Sequence, residues 1–178
     1  MTRRSFLTTA LAGAGALLGV GVRPQTAAAS PPGRLALYNT HTRETLDVTF
    51  RDGAGRYDAG ALTALDHVLR CHYAGLTARM DLAVLEFLNA VDRRLGGDHE
   101  IHVISGFRSP EYNDWLLRHG HRVARRSLHL VGKAIDVRFP GVHLSAVRDA
   151  ARALGLGGVG YYPGSDFVHL DSGRPRSW

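Results

Sequence analysis

The stretch Ser127-Leu-His-Leu-Val-Gly-Lys-Ala-Ile-Asp136 decides the fold of this chain. It places His129 in a predicted loop and Asp136 seven residues later, inside the apolar run Ala-Ile-Asp-Val of a predicted buried strand. A carboxylate among apolar side chains needs a strong partner, because burying an unpaired charge is very costly. A metal ion is one such partner, and a hydrogen-bonded histidine is the more ordinary alternative.

A second histidine has a similar environment near the end of the chain. His169 lies between large apolar residues in Phe167-Val-His-Leu-Asp171, a predicted strand that can pair beside the strand of Asp136. Gly132 allows the loop to fold His129 back toward both. Two histidines and one aspartate suit a catalytic zinc ion that keeps a fourth position open for water. The spacing alone leaves a buried Asp–His hydrogen bond open as the alternative.

The remaining pattern predicts one α+β domain with an antiparallel sheet packed against helices. A chain of 178 residues can bury a sizeable core. Strands are expected at residues 35–39, 45–50, 100–105, 134–139, 158–161 and 167–171, and the first two form a hairpin. Helices are expected at residues 58–70, 81–95, 111–119 and 144–154, with Asp58 and Asp81 at the start of the first two.

Residues 1–29 are interpreted as a twin-arginine (Tat) export signal. Arg3 and Arg4 precede an uncharged apolar run, and Ala27-Ala-Ala29 is a small-residue cleavage site. The alternative is a membrane anchor, for which an apolar run of about 17 residues is at the lower limit. Residues 30–33 then form a linker to a domain at residues 34–178. A protein of the periplasm or cell envelope is expected, without stable membrane insertion after cleavage.

The basic composition says little about function once this signal is set aside. The chain has 22 Lys and Arg against 16 Asp and Glu, a formal net charge of +6. Cleavage removes Arg3, Arg4 and Arg23 and no acidic residue, which lowers the net charge to +3. The basic run at residues 122–126 has no interleaved aromatic residues, so no nucleic-acid partner is expected.

The single cysteine limits the kinds of site that are possible. Cys71 lies in a helical apolar pattern and is interpreted as a core residue. One thiol excludes an intramolecular disulfide and a multi-cysteine zinc cluster. The eight histidines other than His129 and His169 are interpreted as surface or partly buried polar side chains.

The residues around the candidate ligands resemble a known family. Residues 127–136 follow the pattern Ser-x-His-x-x-Gly-x-Ala-x-Asp of the zinc D-Ala-D-Ala peptidases, whose fold is shared with other peptidoglycan amidases and the Hedgehog signalling domain. The runs at residues 157–163 and 167–173, and the terminal Arg-x-Arg-Ser-Trp, are similar to the exported murein endopeptidase K-like branch. The resemblance covers residues 34–178 and implies a Hedgehog/D-Ala-D-Ala-peptidase-like fold.

The resemblance also implies a set of site residues. It implies that His129, Asp136 and His169 bind zinc. The segment Ser105-Gly-Phe-Arg108-Ser109 is similar to a family segment whose arginine faces the active site. Arg108 is therefore expected to stabilise the oxyanion of the reaction or to bind a peptide carboxylate bidentately. The implied activity is zinc-dependent hydrolysis of peptide bonds in peptidoglycan stem peptides or cross-links.

The general base stays open between two aspartates. Many relatives have a glutamate three residues before the last histidine ligand, where this chain has the shorter Asp166. Others have a histidine two residues before that ligand, where this chain has Phe167. Asp171 follows His169 on the same face of the predicted strand, as a candidate base or as an orienting partner of His169.

Two other classes of function stay open beside the zinc peptidase. A zinc-binding cell-envelope module without catalysis would keep the three ligands and lack a working base, and the replacement of glutamate by Asp166 favours it. A basic protein that binds the cell envelope or nucleic acid would rest on the basic run at residues 122–126 and on His119–His121. A base within reach of the metal distinguishes the first of these from an enzyme.

Overall fold

The computed structural model describes residues 30–121 and 123–178, so the predicted export signal at residues 1–29 lies outside it. The described strands are β1 (Gly33–Asn39), β2 (Thr45–Arg51), β3 (Glu100–Ser105), β4 (Ala134–Arg138), β5 (Gly158–Tyr162), β6 (Phe167–Asp171) and β7 (Arg176–Ser177). The described helices are α1 (Ala59–Val68), α2 (Leu82–Arg94), α3 (Pro110–Arg118) and α4 (Leu144–Leu154). Short 3-10 turns lie at Leu128–Val131 and Pro163–Ser165. Within this described part, no helix has the length and apolar character needed to span a membrane.

The seven strands form one mixed sheet in the order β2-β1-β3-β4-β6-β5-β7. Four pairings are antiparallel, whereas β1 pairs parallel with β3 and β5 pairs parallel with β7. The predicted α+β class is confirmed, but the prediction of an antiparallel sheet is wrong at these two pairings. Long connections explain both, because β2, α1 and α2 separate β1 from β3, and β6 separates β5 from β7. A connection of that kind lets the chain return in the same direction.

The first helices begin where the sequence provides a capping carboxylate. Asp58 accepts a hydrogen bond from the Ala61 N–H at the start of α1, and Asp81 accepts one from the Ala83 N–H at the start of α2. Both predicted helix starts are confirmed. Cys71 is buried, as expected of a core thiol. The largest fully buried side chains include Phe50, Phe87, Leu35, Leu37, Leu65, Leu69, Leu85, Leu88, Ile101, Ile135 and Leu170.

The register between β4 and β6 brings the two ends of the site together. Asp136 on β4 lies directly opposite His169 on β6. Side chains at such paired positions are on the same face of the sheet, about 4.5–5.5 Å apart at Cβ. The side-by-side pairing that the sequence predicts for these strands is therefore confirmed, and it places both side chains near the centre of the sheet.

Gly132 brings His129 to the same place. It ends the turn Leu128–Val131 with a left-handed backbone, at φ 66°. A Cβ at this position would collide with the main-chain carbonyl oxygen of Arg79. The Gly132 carbonyl also accepts a hydrogen bond from the Asp81 N–H (2.9 Å), so the turn packs directly against the start of α2. Only glycine combines an unstrained left-handed backbone with the absence of a Cβ that this close approach requires.

We expect Gly132→Ala to destabilise the protein more than the matched control Gly155→Ala. Both glycines have a left-handed backbone, at φ 66° and 64°, which costs an alanine about 1–2 kcal/mol. A Cβ at position 155 meets no atom within 4 Å, so the additional loss at position 132 measures the collision with Arg79. Urea unfolding gives both free energies. Equal losses would contradict the close approach.

Candidate metal centre

Three side chains from three different elements converge on one point. His129 Nε2 lies 3.2 Å from His169 Nδ1 and 3.2 Å from Asp136 Oδ1. His169 Nδ1 lies 2.7 Å from the same carboxylate oxygen. His129 and Asp136 are buried, and 12% of the His169 side chain remains exposed. The structure thus brings together the residues that the sequence proposes as ligands.

The outer nitrogen of each imidazole is held by an oxygen acceptor. His129 Nδ1 donates to the Gly106 carbonyl (2.7 Å), and His169 Nε2 donates to Asp171 Oδ2 (3.1 Å). These oxygens can only accept, so each neutral ring carries its proton on the outer nitrogen. The lone pair of the inner nitrogen then points toward the shared point, which is how metal-binding histidines are held.

This donor set fits a divalent metal ion. When both rings are neutral, two nitrogen lone pairs and a carboxylate oxygen face one another, and a cation between them stabilises this arrangement. Ligands of a tetrahedral zinc ion with bonds of roughly 2.0–2.1 Å are about 3.3 Å apart. The separations here are 2.7 to 3.2 Å. Three protein ligands leave one position of such an ion open, as in catalytic zinc sites.

The charges at the centre also favour a cation. Burial opposes the ionised form of Asp136, but His129 and His169 outweigh it and hold the pKa of Asp136 well below its usual range. Burial likewise opposes a charged His169, but hydrogen bonds to Asp136 and Asp171 raise its pKa to about 9. The two carboxylates beside His169 thus stabilise positive charge at the shared point.

Asp171 is a buried carboxylate that accepts a hydrogen bond from His169. Besides the His169 bond, it accepts two hydrogen bonds from the Arg176 guanidinium (2.9 and 2.7 Å) and one each from the Gly158 and Gly173 N–H groups (3.3 and 2.8 Å). Burial opposes its charge, but His169 and Arg176 hold the pKa of Asp171 below its usual range. A Cβ on Gly158 would collide with this carboxylate, so the neighbouring strand must carry glycine there.

Arg108 lies beside the centre, on the loop that follows β3. Its Nη2 is 3.7 Å from Asp136 Oδ2, and the guanidinium donates long hydrogen bonds of 3.4 Å to Ser105 Oγ and Asn113 Oδ1. Its main-chain N–H donates to the His129 carbonyl (3.1 Å), which ties this loop to the turn of His129. The side chain is 8% exposed, and its Nε has no hydrogen-bond partner among the described residues.

Asp166 does not join the converging side chains. It follows the turn Pro163–Ser165 in a left-handed conformation, at φ 53°. Its carboxylate pairs with Arg138 (3.0 Å), and 65% of its side chain is exposed. The structure therefore separates the two aspartates that the sequence leaves as equal candidates for the base. Asp171 touches a candidate ligand, and Asp166 forms a surface ion pair.

A cavity of about 200 Å³ opens over the centre, with an aromatic wall. The rings of Tyr162 and Phe167 stack with centroids 4.7 Å apart, and Trp178 Nε1 donates to the Tyr162 hydroxyl (2.7 Å). The Trp178 ring lies 5.5 Å from that of His169. The cavity thus combines apolar surface with a few converging polar groups, as ligand pockets do.

The sequence alone assigns no role to Gly106, Arg176 or Trp178. Arg176 and Trp178 belong to the terminal Arg-x-Arg-Ser-Trp run, and its likeness to one branch of the family is the signal that marks them. Gly106 acts through its main-chain carbonyl. Any residue type carries such a carbonyl, so no pattern of residue types reveals this acceptor.

Comparison with known proteins agrees with this geometry. The family described as Peptidoglycan L,D-endopeptidase MepK matches residues 27–178. The chain belongs to this family. It is 37% identical over 172 residues to the peptidoglycan L,D-endopeptidase MepK of Escherichia coli (strain K12), covering 94% of each chain. It is 36% identical over 169 residues to the probable MepK of Haemophilus influenzae, covering 92% of this chain and 90% of that relative.

These matches confirm the family and branch that the sequence resembles. They also confirm the predicted class of enzyme, a peptidoglycan peptidase. Peptidases of this family depend on a metal ion. Among residues 30–121 and 123–178, one group of three metal-binding side chains lies close enough to share an ion: His129, Asp136 and His169. The family and the geometry therefore point to the same place.

We expect the purified protein to hold one divalent metal ion per chain and His169→Ala to lose it. Removing one of three ligands should weaken binding by more than the roughly 10–100-fold typical of an outer partner. His143→Ala is the control, because this exposed histidine makes no capping hydrogen bond at the start of α4. Mass spectrometry after dialysis against zinc measures metal per chain. Full occupancy in His169→Ala would place the metal elsewhere.

Proposed function

We propose that this member of the MepK family is a zinc-dependent peptidoglycan L,D-endopeptidase, with His129, Asp136 and His169 as the zinc ligands. The convergence of these three donor atoms beside an open cavity carries the proposal. Relatives in Escherichia coli and Haemophilus influenzae are named for this activity, and their similarity extends over nearly the whole chain.

The proposed ligand side chains are preorganised for metal binding. When bound, zinc supplies a Lewis acid that polarises the scissile carbonyl and makes water a better nucleophile near neutral pH. The Gly106 carbonyl and Asp171 hold the two imidazole rings from behind, so neither ring has to reorient. Asp136 contributes the negative charge that a divalent ion requires, and its low pKa keeps that charge at neutral pH.

Arg108 is proposed to stabilise the oxyanion that forms during hydrolysis. Its guanidinium lies 3.7 Å from Asp136, next to the metal position, and is buried away from bulk water. A fixed positive charge in such a place stabilises developing negative charge without reorganising first. The hydrogen bond from the Arg108 main-chain N–H to the His129 carbonyl fixes this loop relative to the turn that carries His129.

The two aspartates are proposed to have different roles. Asp171 accepts five hydrogen bonds and has a lowered pKa, so it suits the orienting role better than proton transfer. Asp166 occupies the position of the glutamate that the resemblance implies as base, and we propose it as the proton acceptor. Its ion pair with Arg138 is exposed, and such pairs are worth about 0–1 kcal/mol. Separating Asp166 from Arg138 therefore costs little free energy.

The finer features of fold and location are part of the same proposal. We infer a Hedgehog/D-Ala-D-Ala-peptidase-like fold for residues 34–178, supported by the position of Asp136 and His169 on adjacent central strands. Residues 1–29 are proposed to direct Tat export to the periplasm or cell envelope, with residues 30–33 as the linker. The proposed substrate supports export, because peptidoglycan lies outside the inner membrane.

We expect the zinc-loaded protein to cleave cross-linked sacculi, EDTA to stop cleavage, and added zinc to restore it. Cleavage requires the Lewis acid, so chelation should reduce it to the level of His169→Ala. Mass analysis of muropeptides before and after digestion identifies the bond, which should be the L,D cross-link. Unchanged activity in EDTA would contradict the mechanism. A zinc-bound protein that leaves every muropeptide intact would instead favour the non-catalytic zinc module.

Substitutions of the two aspartates should have different signatures. Asp171→Asn should weaken zinc binding about 10–100-fold, and its lost activity should return at higher zinc concentration. Asp166→Asn should retain zinc but lower kcat by roughly 10²–10⁴, without rescue by zinc. Asp149→Asn is the control, because Asp149 is also exposed and paired with an arginine, Arg148 (2.8 Å).

These signatures are read from steady-state rates across a zinc titration. If Asp166→Asn behaves like Asp149→Asn, Asp166 is not the base. If Asp171→Asn keeps its zinc and loses activity that zinc does not restore, Asp171 transfers the proton instead.

A further inference from the structure

A second cavity, of about 590 Å³, adjoins the metal centre. It shares Arg108, Asp136, Tyr162 and Phe167 with the first cavity. Its volume is within the range of roughly 300–1,000 Å³ that is usual for ligand pockets. A peptide bound at the centre thus has room to extend past Arg108.

Two stacked histidines line this second cavity. His41 comes from the turn between β1 and β2, and His72 follows α1. Their rings are 3.7 Å apart at the centroids and within 6° of parallel. Tyr112 of α3 packs edge-on against His72, with centroids 5.0 Å apart. The proposed hydrolytic mechanism uses none of these three rings.

The histidine pair is held in place from behind. The buried Asn39 accepts a hydrogen bond from the His41 N–H (2.9 Å) and donates to the Val68 carbonyl at the end of α1 (2.8 Å). One amide therefore joins the turn of His41 to the segment that leads into His72. Groups ordered in this way before binding lose little conformational entropy when a ligand arrives.

The cavity offers hydrogen-bond donors and positive charge. Arg108 is buried, its Nε has no partner among the described residues, and Asp136 at 3.7 Å is already shared with two histidines. Buried cations usually have closer counter-charges. No other acidic residue of the described chain lines this cavity. Burial, with His41 and Arg108 nearby, lowers the pKa of His72 to about 4, so the ring is neutral at neutral pH and keeps one N–H to donate.

We propose that this cavity binds a carboxylate of the peptide substrate, on a residue that flanks the scissile bond, through His41, His72 and Tyr112. The inference rests on the proposed function of the adjoining centre. A carboxylate offers acceptors alone, which suits imidazole N–H groups and a phenol O–H near a buried guanidinium. A cationic group would be repelled by Arg108, and an apolar group would leave the His72 N–H without an acceptor.

The test compares binding of a stem peptide purified from peptidoglycan, with its carboxylates free or converted to carboxamides. Calorimetric titration of the zinc-loaded protein should show the free acid binding at least about tenfold more tightly. His72→Phe keeps a ring to stack on His41 and removes the N–H, so it should lose most of this preference. His119→Phe is the matched control, because His119 stacks on Trp115 (4.1 Å) outside the cavity.

Each outcome decides the assignment. Equal binding of acid and carboxamide by the wild-type protein would overturn it. An acid preference that His72→Phe leaves unchanged would also overturn it, because the preference would then arise at the metal or at Arg108 alone. If His72→Phe does not fold, His41→Phe takes its place, because His41 is exposed. It should likewise lose most of the preference for the free acid. The binding comparison does not depend on catalysis. A failure to cleave sacculi would therefore contradict the proposed function without affecting the comparison of acid and carboxamide.

Discussion

The buried carboxylate of Asp136 is the constraint on which the site depends. It is 6% exposed and lies in the middle of the sheet, between the fully buried Ile135 and Val137. Removing a charge from water costs several kcal/mol unless close partners compensate it. The compensation comes from His129, His169 and Arg108, which reach Asp136 from a 3-10 turn, a neighbouring strand and a loop. The fold therefore brings three separate segments of the chain into contact with one buried carboxylate.

Much of the site could be predicted from the sequence because its decisive signals are local. A charged residue inside an apolar strand, as at Asp136, marks a place where a strong partner must exist, whatever the rest of the chain does. His169 has the same signature, and strand pairing then brings the two together. The starts of α1 and α2 were predictable for a related reason, since the capping side chains of Asp58 and Asp81 bond to N–H groups two or three residues away.

The features that escaped prediction depend on contacts between distant segments. The parallel pairing of β1 with β3 follows from the path of the intervening helices, which no local pattern encodes. Asp166 and Asp171 are the same residue type five positions apart. Asp166 pairs with Arg138 at the surface, whereas Asp171 is buried and pairs with Arg176. The stack of His41 on His72 likewise joins two distant segments of the folded chain, which Asn39 also links.

The distances along the chain between the converging donors have a consequence for folding. His129 is 40 residues from His169, Asp136 is 33 residues from His169, and the Gly106 carbonyl is 23 residues from His129. Contacts so far apart require the entropy of loop closure to be offset first, which slows their formation. The complete set of donors is therefore a property of the closed sheet and not of any single segment. An ion that bound all three donors would stabilise only that closed state, so its retention would report that the sheet had closed.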